Sequence, residues 1–133
     1  LDRMPNLYEL AKEISPNDTK FQYLDAAQLI KHILGLKKNV DEYNSNIIQK
    51  HHIEEGKRNL VFKRNFHLLY LWYDVIGKEG SEHRKEIEQF AEIVKRDNIK
   101  FSHITYQEVI INLSKEFYDE NEMYCNYLTD RYL

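Results

Sequence analysis

The sequence predicts an α/β fold, with a small parallel sheet of about two to three strands and helices on both faces. Three observations lead there. Residues 66–74, FHLLYLWYD, form a nearly continuous apolar run in a densely charged chain. That is the pattern of a strand covered on both faces of a parallel sheet. Residues 81–97 carry an amphipathic helical period, and NIKFSHI at 98–104 returns to an extended pattern. Strand, helix, strand in that order is a crossover unit, the connection that parallel strands need.

In NLYELAKEI, residues 6–14, Leu7, Leu10, Ala11 and Ile14 share one helical face, Asn6 is a candidate N-cap, and SPND stops the helix. FQYLDAAQLIKHILGL, residues 21–36, predicts a second helix with Gly35 near its end. Its apolar lines are Leu24, Ala27, Ile30 and Leu34, and Ala26, Leu29, Ile33 and Leu36. At about 100° per residue, Asp25, Gln28 and His32 share one narrow polar arc with Lys31 beside it. Residues 37–65 read as a polar, lysine-rich insertion between core elements, in which DEYNSNIIQKHHIEE predicts a helix with Tyr43, Ile47 and Ile48 inward. NLVF at 59–62 predicts a short strand. After the opening strand, Ser81 is a candidate cap for a helix burying Ile87, Phe90, Ala91 and Val94. Thr105 and Glu108 have capping-box spacing ahead of a helix burying Val109, Ile110, Leu113 and Phe117. A last helix, from about Asp119 to Tyr132, uses Met123, Tyr124, Tyr127 and Leu128.

The sheet is too small for its own strand. Two strands rarely stand alone, and three or more are normally needed. Further strands are therefore expected from an upstream segment or from a partner chain. A charge placed at Leu71, as in Leu71→Asp, is expected to unfold a strand covered on both faces.

The 133 residues make one domain, and 42% hydrophobic with 31% charged residues is a globular composition. No apolar run is long enough to span a bilayer, so no membrane role is expected. The single cysteine, Cys125, excludes an internal disulfide framework and fits a reducing, cytoplasmic location. The net charge of −3 hides an asymmetry. Lys31 to Arg64 carries eight basic against four acidic residues, and Glu79 to the end carries seven against twelve. Such a split can mark a positive face for a polyanion, or simply a solvated lysine-rich loop.

No complete active site is visible. The chain lacks G-x-G-x-x-G, a P-loop, G-x-S-x-G and H-E-x-x-H, and its histidines offer no structural-zinc spacing. The E-x-K of a Mg²⁺-dependent nuclease occurs once, as Glu55-Gly56-Lys57, in a polar stretch without strand character. Asp74 ends the first strand, where crevices of open parallel sheets bind ligands, though an Asp there is also a common turn former. Gln28, Lys31, His32 and Asp74 are the candidate catalytic positions. Lys37, Lys38, Lys57, Arg58, Lys63 and Arg64 are the candidate nucleic-acid contacts. No residue is assigned to a metal.

The strings at 21–36, LLYLWYDVIGKEGSEHRKEIEQFAEI at 68–93, FSHITYQEVI at 101–110 and YLTDRYL at 127–133 resemble the C-terminal half of bacterial restriction-endonuclease-like proteins of the PD-(D/E)xK superfamily. The likeness runs along the whole chain except 37–65, which looks like a divergent insertion. It implies part of an α/β/α sandwich, with the carboxylates that hold Mg²⁺ on strands upstream. The chain would then be the C-terminal portion of a metal-dependent DNA nuclease, inactive alone, with Gln28 and Lys31 or His32 near its active site. The defining PD and (D/E)xK residues are not in this chain. The alternative is a non-catalytic interaction module that completes its sheet by oligomerisation. A third reading is a small-molecule domain using the crevice at Asp74.

Overall fold

The computed structural model describes the backbone of residues 3–51 and 64–133, and the side chains of these except 47–51. Its elements are α1 (Pro5–Ile14), α2 (Ala26–His51), β1 (His67–Trp72), α3 (Lys78–Arg96), β2 (Lys100–Thr105), α4 (Tyr106–Phe117) and α5 (Glu122–Tyr132). β1 and β2 pair in parallel, from His67 opposite Lys100 to Trp72 opposite Thr105, with α3 as the crossover. The predicted α/β class and the two parallel strands are present.

One face of the sheet is packed. Leu68, Tyr70, Trp72 and Phe101 turn toward α3, where Phe101 meets the ring of Phe90 edge-on at 5.3 Å between centroids. Beneath α3 lie α1 and α2, and the fully buried Leu7, Ile33, Ile87, Phe90 and Val94 form the centre of this core. Each such side chain contributes about 1.5–3 kcal/mol through burial.

The other face departs from expectation. Leu69 is 58% exposed, Leu71 42% and Tyr73 45%. Helices therefore do not cover both faces among the described residues. An uninterrupted apolar run says only that both sides of a strand are apolar, whereas a cover must come from some other segment. At this exposure Leu71→Asp is expected to leave the isolated chain folded, contrary to the unfolding that a doubly covered strand would predict.

Four helices differ in detail. The second does not stop near Gly35; α2 runs on to His51, so the first part of the 37–65 segment continues a core helix. An added Cβ at Gly35 would meet nothing within 4 Å, and a solvent-facing glycine weakens a helix by about 1 kcal/mol without ending it. Residues 21–25 lie ahead of it, with Phe21 and Leu24 buried, while Ala27 points to solvent. Helix α3 begins at Lys78 after Gly77, not at Ser81; Gly77 has φ of 111°, in the region only glycine enters easily. In α4 only Ile110 is buried, and Leu113 and Phe117 are exposed. In α5 the inward residue is Cys125, whereas Met123, Tyr124 and Tyr127 face solvent. The Thr105–Glu108 capping box is formed, and α1 buries Leu7, Leu10 and Ile14 as predicted. The strand at 59–62 and the Glu55-Gly56-Lys57 stretch lie outside the described residues.

Candidate functional site

The carboxyl ends of β1 and β2 open into a cavity of about 660 Å³, the position where parallel sheets receive ligands. Asp74 lines it and is already engaged. Its Oδ2 accepts a 3.0 Å bond from Nη2 of Arg84, one turn and a half into α3. The Gln107 side chain holds the Asp74 backbone at both polar atoms, accepting from its N–H at 3.3 Å and donating to its carbonyl at 2.9 Å. Gly80 is required here: a Cβ would stand 1.9 Å from the Val75 carbonyl oxygen and 2.5 Å from Asp74 Oδ1. Asp74 therefore fixes the strand-to-helix turn to α3 and α4.

Behind it sits an aromatic and histidine cluster that sequence reasoning missed. Trp72, 3% exposed, donates from Nε1 to His103 Nδ1 at 3.2 Å. His83 lies edge-on to Trp72 at 4.8 Å and bonds the Tyr70 hydroxyl at 3.1 Å through Nε2. The Arg84 guanidinium lies 4.9 Å from the Trp72 ring centre, a cation–π arrangement. Glu86, one turn along, accepts the backbone N–H groups of Gln22 and Tyr23 and so ties the segment before α2 to α3. These residues come from three elements, and no sequence spacing joins them. Only the H-R-K-E run at 83–86 on an otherwise ordinary helix face could have drawn notice.

Burial lowers the pKa of His83 below the usual histidine range, although Glu86 and then Asp74 act to raise it. Burial, and then the charge of Asp25, raise that of Tyr70. A histidine depressed in the folded state leaves the unfolded chain holding more protons as pH falls through the ordinary histidine range. Stability conferred by neutral His83 is thus complete above that range and lost below it. Urea midpoints of the native chain should fall on acidification, and His83→Gln should flatten that fall. An equal slope in both proteins would remove His83 as its source.

The other sequence candidates form no common site with Asp74. Gln28 and His32 touch each other at 3.2 Å on the exposed face of α2, beside Leu68, Leu69 and Tyr70. Lys31 is also solvent-facing. This stripe borders the middle of β1, while Asp74 lies past its end.

At the opposite end of the sheet, Lys37 and Arg64 line a second cavity, of about 500 Å³, together with Arg3. Lys38 borders an adjoining one. Three of the six predicted nucleic-acid contacts therefore converge, and Lys57, Arg58 and Lys63 lie outside the described residues. Lys37 is paired with Asp41 on the next turn at 2.9 Å.

Mg²⁺, which the nuclease resemblance implies for the intact protein, would by that resemblance be held by carboxylates upstream of this chain. Among the described residues no three His, Cys, Asp or Glu side chains converge. Asp74 has one oxygen committed to Arg84. No helix among them is long and apolar enough to cross a membrane. Neither a protein-family model, nor a curated protein, nor a solved structure matches the chain, so the likeness to restriction-endonuclease-like proteins rests on the quoted residues alone.

Proposed function

We propose that this chain is a non-catalytic interaction module that completes its sheet with a second copy of itself. One observation carries the reading: among the described residues, a two-stranded sheet whose outer face leaves Leu69, Leu71 and Tyr73 open to water. Among the described residues each strand also has an unpaired edge, and an apolar strand with a free edge is a template for another strand. Contiguous exposed apolar residues of this kind mark association surfaces. Asp74, held by Arg84 and Gln107, then serves to set the end of β1 rather than to do chemistry.

The test is the oligomeric state by sedimentation equilibrium. The expected mass is twice that of the 16.1 kDa chain. The double variant Leu69→Lys, Leu71→Asp should be monomeric with an unchanged circular dichroism spectrum. In the monomer, exposed substitutions of this kind shift stability by about 0.5 kcal/mol or less. A native chain that stays monomeric at high concentration would defeat the proposal.

The second reading is the C-terminal portion of a restriction-endonuclease-like DNA nuclease, inactive alone. What favours it is the convergence of Lys37, Lys38 and Arg64 at one end of the sheet. In that case the added strands come from upstream and carry the metal-binding carboxylates. DNA binding by this part would then weaken steeply with added salt, as phosphate contacts do.

A further inference from the structure

We infer that the cleft between α2 and the start of β1 binds a phosphate group, with Arg64 as its principal contact. Several polar groups of the cleft are already committed, and those left over are mainly donors. Asp97, one of the two carboxylates lining the cleft, accepts the backbone N–H groups of Asn6 at 3.1 Å and Leu7 at 2.8 Å, and the Asn6 amide at 2.8 Å. The other, Asp41, takes both of its bonds from Lys37. The carbonyl oxygen of Asn65 accepts the N–H of Phe66 at 2.8 Å, leaving its NH₂ as a donor. What remains is rich in donors: Arg3, Arg64 and the Asn65 amide, beside the Asn98 amide, which offers both a donor and an acceptor. Among the described residues no carboxylate lies within ion-pair distance of either arginine. The uncommitted groups of the cleft, among the described residues, thus suit a ligand that brings acceptors and negative charge.

Arg64 is also arranged in advance. The Asn44 side chain clamps its backbone, accepting from the N–H at 2.9 Å and donating to the carbonyl at 3.1 Å. Its guanidinium carbon sits over the Tyr43 ring, 3.7 Å from the centre. A stacked guanidinium keeps its planar fork of donors for a tetrahedral oxyanion, with little side-chain freedom left to lose on binding. A lysine at this position could neither stack nor present a fork.

The phosphate could belong to a nucleic-acid backbone or be free. In the first case the inference deepens the second functional reading and rests on it; in the second it stands apart. The experiment is an amide chemical-shift titration, first with inorganic phosphate at constant ionic strength, then with a short DNA duplex. Phosphate is expected to move the amides of Arg64, Phe66 and Ile99 together and saturably. Arg64→Gln, checked as folded by its own spectrum, should lose the response, and Arg64→Lys should recover it only in part. A duplex that binds these amides more tightly than phosphate, with a steep salt dependence, identifies the backbone as the source. A phosphate response with no duplex response supports the cleft and counts against the nuclease reading. Cleft amides that do not move with either probe, or that move equally in Arg64→Gln, overturn the inference. A duplex that binds elsewhere while the cleft stays silent overturns it too, and leaves the nuclease reading standing.

Discussion

Trp72→Ala is expected to destabilise the chain by about 3–5 kcal/mol, a large share of the roughly 5–15 kcal/mol that holds a typical domain together. The indole joins several elements at once. It is buried against His83 of α3, lies beside the Arg84 guanidinium, and donates to His103 on the neighbouring strand. Removing it leaves a cavity under α3 and takes the donor from His103 Nδ1. Because the tryptophan is the only one, unfolding should be followed by far-ultraviolet circular dichroism in urea. Trp72→Phe separates the two contributions. It keeps much of the volume and loses only the donor, so it should cost about 1–2 kcal/mol. A midpoint in Trp72→Ala close to the native one would show that the covered face of the sheet closes without it.

Asp97→Ala is expected to cost about 2–3 kcal/mol, large for a half-buried polar residue. The reason lies at the start of α1. Its N-cap is Met4, which offers no side-chain acceptor, and its first turn has no acidic residue. Pro5 has no N–H to satisfy, but those of Asn6 and Leu7 point out of the helix end. Asp97, just past α3, supplies the missing acceptor from 90 residues away and places its charge at the positive end of the helix dipole. Asp97→Asn keeps one oxygen acceptor and should lose roughly half as much. Chemical denaturation measures both. The assignment fails if asparagine is as damaging as alanine.

These two residues also show what could be read beforehand. Periodicity exposed the burial of Ile87, Phe90 and Val94, because one helix face records its own environment. The Thr105–Glu108 box was equally legible, since both partners lie within one turn. Asp97 was not, because its partners are at the far end of the chain and any surface aspartate looks the same in sequence. Neither was the bare side of β1. Leu69 and Leu71 are as apolar as Leu68, and alternation cannot distinguish a covered face from an uncovered one. Gly35 misled through its usual role as a helix terminator; what decided its fate was the continuing α2 around it. The sites followed the same rule. Asp74 was singled out from its place at a strand end, while Arg84 and His83, which help define its surroundings, were gathered by the fold. Lys37 and Arg64 were named as separate cations, and Arg3, beside them, was not.

The helical pair α4–α5 gives the molecule an uneven grain. Helix α5 packs mainly on α4, buries Cys125, and stacks Tyr132 on Tyr106 at 6.2 Å, yet Met123 is 88% exposed. Opening it exposes little that is not already wet, so its amide protons should exchange with solvent through local excursions. Those of β1 and α3 should wait for the whole core to come apart. The chain would then lose its carboxyl-terminal helix and regain it many times for each global unfolding, like a hinged end on a rigid block.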